Sequence, residues 1–153
     1  MLAAKVFIDS TSFLYPRDRS ERRKGEVIAN WLAVLVEHQA GVTNLQVLNE
    51  MVNVMTKKRA RFADLDPFFE ADLASDFGST PLTQEAAFVA RTIYARYGFS
   101  WWDCLLLASA LELGCTLFLT EDMQDGQRVD NDSRSLTLVN PFAHSPDEFL
   151  THH

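Results

Sequence analysis

The chain reads as an α/β protein with a short, mainly parallel sheet. Three observations predict it. Short apolar, β-branched segments alternate with longer amphipathic ones, the order expected of strands joined by helical crossovers. The helical segments carry recognisable start and stop residues. Two of the strand-like segments run straight into acids, Val6-Phe7-Ile8-Asp9 and Leu119-Thr120-Glu121-Asp122, and the carboxyl edge of a parallel sheet is where such folds bind ligands.

Residues 3–8 form the first expected strand, ending at Asp9, and Tyr15-Pro16 breaks the chain after it. From Arg23 to Gln39 the spacing of Val27, Ile28, Trp31, Leu32 and Leu35 predicts a helix. Gly41-Val42-Thr43 is a very short strand or turn. Thr43 or Asn44 then caps a helix bearing Leu45, Leu48, Met51, Val52 and Met55, with Lys57, Lys58, Arg59 and Arg61 suited to its C-terminal end. A shorter helix is expected over 64–76, and a loop or small strand over Phe77 to Pro81. Thr83 opens a helix that Gly98 stops, and Ser100 opens one from Trp101 to Leu113 that Gly114 stops. Cys115 to Thr120 is a strand, Asp122 to Ser135 a polar loop, and Leu136 to Val139 a last strand ended by Asn140-Pro141.

At 153 residues and 47% apolar content, one domain over residues 1–153 is expected, with enough apolar mass for a packed core. No apolar run reaches the roughly 18 residues of a membrane span, and the N-terminus lacks a signal-peptide pattern, so the expectation is a cytosolic protein without a membrane partner. Cys104 and Cys115 lie in apolar surroundings without a Cys-x-x-Cys partner and read as buried reduced thiols. His152 and His153 receive no function. Residues 1–61 carry a net charge of +4 and residues 62–153 a net of −11, which sum to the overall −7. An acidic chain repels phosphates, so nucleic-acid chemistry would need a cation at the acids and basic residues from the N-terminal half or a second subunit.

Four acids stand out: Asp9, Glu50, Asp103 and Asp122, with Asp125 close behind the last. Each has a plain alternative. Asp9 suits a helix cap, Glu50 an exposed helix position, Ser100-x-x-Asp103 a capping box, and the 121–126 stretch a surface turn. Asp9 and Asp122 both follow parallel strands and so share one sheet edge, whereas helix orientation decides whether Asp103 joins them. Convergent carboxylates suit a hard divalent cation, Mg²⁺ or Mn²⁺, and such a site most often serves phosphate chemistry.

The ordered set Val6-Phe7-Ile8-Asp9-Ser10-Thr11, Val47-Leu48-Asn49-Glu50, Phe99-Ser100-Trp101-Trp102-Asp103 and Leu119-Thr120-Glu121-Asp122-Met123-Gln124-Asp125-Gly126, closed by Val139-Asn140-Pro141-Phe142, resembles a PIN domain of the VapC toxin type over essentially the whole chain. The resemblance implies a three-layer α/β/α sandwich and a Mg²⁺- or Mn²⁺-dependent endoribonuclease. It also implies a homodimer restrained by a cognate antitoxin. It places Asp9, Glu50 and Asp103 in the family's acid site, with Asp122 ranked before Asp125 as the fourth acid and Thr120 orienting a carboxylate. Thr11 departs from the family's usual Asn after the first strand. A free cluster of four carboxylates repels itself, so an antitoxin Arg or Lys is expected to enter the pocket in place of the metal.

The reaction these residues suggest is phosphodiester hydrolysis, and the resemblance implies that the substrate is RNA. His38 and His144 are isolated and are not expected to be catalytic. Arg17, Arg19, Arg22, Arg23 and Lys24 form one basic run, and Lys57, Lys58, Arg59 and Arg61 another, each suited to RNA backbone, antitoxin or helix-end contacts. Trp101 and Trp102 suit base stacking, the core or a dimer interface. The main competing function is a PIN-like module that binds RNA or protein with little cleavage. A phospho-aspartyl phosphatase using Asp9 is disfavoured, because position 11 is Thr rather than Asp.

Overall fold

A computed structural model describes residues 4–62 and 69–150. In chain order its elements are β1 (Val6–Ile8), α1 (Ser10–Leu14), a 3₁₀ turn (Tyr15–Arg17), α2 (Arg22–Glu37), β2 (Gly41–Val42), α3 (Leu45–Lys57), α4 (Phe69–Phe77), α5 (Gln84–Tyr97), α6 (Trp101–Glu112), β3 (Leu117–Leu119), β4 (Arg128–Asn131), β5 (Arg134–Val139) and a second 3₁₀ turn (Pro146–Glu148).

The strands form one sheet in the order β2-β1-β3-β5-β4. β1 pairs in parallel with β2 and β3, and β3 with β5. Every residue of β1 and of β3 is buried. Because neighbouring strand residues point to opposite faces, helices must cover both sides, which is the layered α/β architecture expected. Phe7 and Phe118 stack across the strand pair with ring centroids 5.3 Å apart. Each fully buried Val, Ile or Phe contributes about 1.5–3 kcal/mol, so this central pair of strands fixes the register of the carboxyl edge.

The helices follow their sequence signals. Asn44, rather than Thr43, caps α3 by accepting from the Val47 N–H, and Thr83 and Ser100 cap α5 and α6 in the same way. Thr43 instead donates its hydroxyl to the Ile8 carbonyl at 2.9 Å, tying the chain after β2 to the end of β1. Gly98 ends α5 in the left-handed conformation, at φ 73°. Residues 104–111 of α6 are all buried, as befits a helix apolar on every side. Gly25 faces the backbone of the Tyr15–Arg17 turn so closely that a Cβ there would lie 2.7 Å from the Tyr15 carbonyl oxygen, and this lets α2 seat directly on the turn.

One expectation changes. The polar stretch 122–135 is not all loop: Arg128–Asn131 forms β4, an edge strand antiparallel to β5. Only Val129 of β4 is apolar and buried, so its pattern carries little strand signal. The segment after Asp9 is a short helix, α1, which Asp9 caps, one of the alternatives its sequence offered. Of the helix expected over 64–76, residues 64–68 lie outside the described residues, and α4 covers the rest and reaches Phe77. Neither Trp101 nor Trp102 belongs to the core, since both are exposed. Among the described residues, no helix is long and apolar enough to cross a membrane.

Candidate active site

The carboxyl edge of the sheet gathers acids from four separate elements. Asp9 follows β1 directly and caps α1, its Oδ1 accepting from the Ser12 N–H at 3.1 Å. Glu50 lies mid-way along α3, at the border of the buried face made by Val47, Leu48, Met51 and Met55. The hydroxyl of Ser10 donates to Glu50 Oε2 at 3.5 Å, which joins α1 to α3. Asp103 sits in the first turn of α6, where its N–H donates to the capping Ser100 hydroxyl at 3.2 Å. α6 leads into β3, so its N-terminal end returns to the sheet's carboxyl edge, the orientation that spacing had left open. Asp122 follows β3, and its N–H donates to the buried Thr120 hydroxyl oxygen at 3.3 Å.

Their charges reach one another in pairs, Asp9 with Asp122 and Asp103, and Glu50 with Asp103. Burial pushes the Asp9 carboxyl up to about 6, against the pull of its Ser12 bonds, and the charges of Asp122 and Asp103 push it further. Asp9 keeps some solvent access, but its carboxyl lies deep among protein atoms. Burial raises Glu50 as well; the Ser10 bond opposes this and the Asp103 charge reinforces it. Among the described residues, no Lys or Arg pairs with Asp9, Glu50, Asp103 or Asp122. Among those residues, too, no three His, Cys, Asp or Glu side chains are grouped so as to hold a metal ion as they stand. The acids converge without forming a ready-made cage.

The other candidates fall elsewhere. Asp125 is committed to structure: its Oδ1 accepts from the Asn140 N–H at 2.8 Å and its Oδ2 bonds His144 Nε2 at 2.7 Å. Those bonds hold its carboxyl below the usual range. Thr11 lies in α1, where its carbonyl accepts from the Tyr15 N–H. Cys104 and Cys115 are buried free thiols, as expected, and burial pushes Cys115 up to about 12.

Sequence reasoning missed a second rim of partners. Glu121 accepts from the Tyr15 hydroxyl and pairs with Lys24 Nζ at 3.0 Å. Burial, then the Asp122 charge, still raises its carboxyl. These contacts clamp the Thr120–Asp122 segment to the start of α2. The basic run around Lys24 was visible in the sequence, but its pairing with Glu121 depends on the fold. Ser10 was likewise visible beside Asp9 and had no recognisable role until α3 came alongside.

The chain belongs to the PIN domain family, whose model matches residues 6–130. It is similar in structure to a toxin-antitoxin complex from Klebsiella pneumoniae, at 15% identity over 90% of this chain and 98% of that one, with a TM-score of 0.63. It is also similar to PAE2754 from Pyrobaculum aerophilum, at 15% identity over 79% of this chain and 83% of that one, with a TM-score of 0.50. At these identities the likeness shows the fold. No curated protein matches the chain significantly in sequence.

Proposed function

We propose that this protein is a Mg²⁺- or Mn²⁺-dependent endoribonuclease and the toxin of a toxin–antitoxin pair. One observation carries the reading: Asp9, Glu50, Asp103 and Asp122 reach one edge of the sheet from four elements, with no basic residue among the described ones paired to them. Family membership and the toxin-antitoxin neighbour support it.

The donors fit the cation in kind. All are carboxylate oxygens, which hard divalent ions prefer, and their uncompensated charge favours any cation that enters. Asp9, Asp103 and Asp122 would hold the ion. When bound, it supplies charge neutralisation and Lewis-acid activation of water and of the leaving oxygen. The remaining work falls to the chain. The Ser12 N–H fixes one oxygen of Asp9 and so holds the carboxylate in place. Thr120 orients the Asp122 backbone. Glu50, whose carboxyl is raised by burial, is suited to accept a proton at its Oε atoms from the attacking water, with the Ser10 hydroxyl steadying the same group.

The basic residues suit the RNA backbone. Asp18 forms an isolated bridge with Phe62 and accepts from Arg61 Nε at 2.8 Å, while the Arg19 N–H donates to the Arg61 carbonyl. These contacts bring the basic run at the start of α2 beside the one after α3. Arg22, Arg23, Lys58 and Arg59 are exposed along this ridge, which reaches the acid edge through Lys24. Phosphate contacts there would position a strand without reading its sequence. A partner's Arg or Lys entering the acid cluster would inhibit by satisfying the same charges.

The test is cleavage of a total RNA pool with and without Mg²⁺ or Mn²⁺, beside Asp9→Ala and Asp103→Ala. Divalent-dependent cutting that both substitutions abolish is expected. Cutting that survives both substitutions, or that needs no divalent ion, would overturn the assignment.

A further inference from the structure

A second cavity opens beside the acid cluster. It measures about 520 Å³ and is walled by one flank of α3, by the Pro81-Leu82 segment and by Trp102, with Glu50 in its wall. That volume accommodates a nucleobase with part of its ribose. Its lining is mixed in a particular way. Trp102 is 62% exposed, and Leu45 and Leu82 are also largely open to solvent. Leu45, Asn49 and Asn53 are spaced i, i+4, i+8 on α3, so they share one outward stripe, with Gln46 and Glu50 on the stripe beside it. The exposed amides of Asn49 and Asn53 therefore share the lining with the exposed Trp102 ring.

The Gln46 Nε2 is itself buried, so the amides open to an incoming group are those of Asn49 and Asn53, both exposed. Among the described residues, Glu50 is the sole charged one of the lining. A phosphate would therefore meet repulsion there and no cation, whereas a neutral heterocycle would meet a stacking surface and groups able both to donate and to accept. Trp102 adjoins Asp103 in the chain, and Asn49 adjoins Glu50, so whatever fills the cavity lies next to the acids.

We propose that this cavity receives one unpaired RNA base beside the phosphate being cut, stacked on Trp102 and read by Asn49 and Asn53, and that it thereby sets the nucleotide preference of cleavage. The inference rests on the ribonuclease reading above and adds a source of sequence selectivity to it. The backbone ridge offers none, since phosphate contacts are alike for all sequences.

Binding and cutting are to be read separately. With Asp9→Asn in the full chain to block cleavage, the four homopolymeric RNA hexamers are titrated by tryptophan fluorescence. Trp31 is buried, so quenching reports on the exposed pair. One hexamer is expected to bind about 10-fold or more tighter than the weakest, the scale of one base-edge hydrogen bond left unmade. Trp102→Ala should weaken all four by roughly 10- to 100-fold, and Trp102→Phe should recover most of the loss. Asn49→Ala with Asn53→Ala should level the four affinities. Both asparagines are exposed, so the fold should tolerate the change. In the Asp9-intact protein the same double change should flatten the base preference at sequenced fragment ends.

Equal affinity for the four hexamers, unmoved by Trp102→Ala, would overturn the proposal. So would a Trp102→Ala protein that loses a dimer but keeps its binding and base preference, since the surface would then be a contact between copies. The two readings fail separately. RNA cutting with a base preference indifferent to the pocket variants refutes the pocket alone. Trp102-dependent, base-selective binding by a protein that cuts nothing refutes the nuclease and leaves the pocket standing.

Discussion

Asp9 and Asp18 lie in the same short stretch between β1 and α2, yet the fold treats them oppositely. Asp18 is buried and fully answered. Its Oδ1 accepts from the N–H and hydroxyl of Ser20 at 2.9 and 2.7 Å, and its Oδ2 accepts from Arg61. Burial alone would raise its carboxyl, but the Ser20 bonds and then Arg61 outweigh this and hold it below the ordinary 3.8. Asp9 is answered by Ser12 alone, has no cation paired to it among the described residues and has two acids nearby; burial first, then those charges, bring its carboxyl up to about 6. One carboxylate holds the chain together and the other is kept in an unfavourable state by its surroundings. Strained electrostatics of this kind mark sites kept for chemistry rather than for stability.

The comparison breaks most decisively at Asp9. If Asp9 holds the ion as proposed, replacing it should cost more than the 10- to 100-fold typical of outer-shell changes, so Asp9→Asn should lower cleavage by at least about 10²-fold. Stability should move the other way. The folded carboxyl binds its proton more tightly than the unfolded one. Its charge therefore costs stability, in full above pH 6 and progressively less as the pH falls from 6 to 3.8. Asn keeps the α1 cap and carries no charge. At pH 8, without divalent ions, the variant should melt at the same temperature as the parent or higher. A clear fall in Tm would mean that Asp9 is a structural residue after all.

Asp18→Asn is the counterpart and should leave the chemistry in place while weakening the fold. It leaves Arg61 without its anion, and a loss of about 1–3 kcal/mol is expected in urea unfolding. The pH dependence has the opposite sign to that of Asp9. A depressed carboxyl stabilises above its unfolded value of 3.8 and loses that contribution as the pH falls through its folded value. Acid unfolding of the parent should therefore include a transition that the variant lacks. If RNA binding falls as well, the join between the two basic runs matters to the substrate and not only to the fold.

The same contrast explains how far the sequence could be read. Local signals were legible: the β-branched run into Asp9, the caps at Asn44, Thr83 and Ser100, and the stop at Gly98 all act within a turn of themselves. Asp9, Asp103 and Asp122 could be selected because each stood at such a boundary, whereas Glu50, inside α3, was picked out through the family resemblance. What could not be read is whatever pairs across the fold. Nothing near Asp18 announces Arg61, and nothing near Tyr15 or Lys24 announces Glu121. β4 escaped because an edge strand needs only one buried side chain, Val129, to hold it against β5. Asp122 and Asp125 share one acidic turn, and only the arrival of His144 and Asn140 from downstream separates them.

That separation yields the smallest expected effect. His144 lies between Asp125 on Nε2 and Glu148 on Nδ1, both at 2.7 Å, and these bonds raise its pKa above 6.5. A raised histidine stabilises the fold fully below its unfolded value of 6.5, and that contribution is lost as the pH climbs through the folded value. The group is partly exposed and its partners are more so, so the change should stay below about 1 kcal/mol and shrink in salt. Asp125→Asn should erase most of this pH dependence and leave cleavage close to that of the parent, because the residue's bonds run to the Asn140 backbone and His144 rather than toward Asp9. Loss of cleavage comparable to that of Asp9→Asn would place Asp125 among the acting acids and make its bond to His144 a resting arrangement. The pH series and the cleavage assay on this one variant therefore decide whether the turn contributes one acid or two.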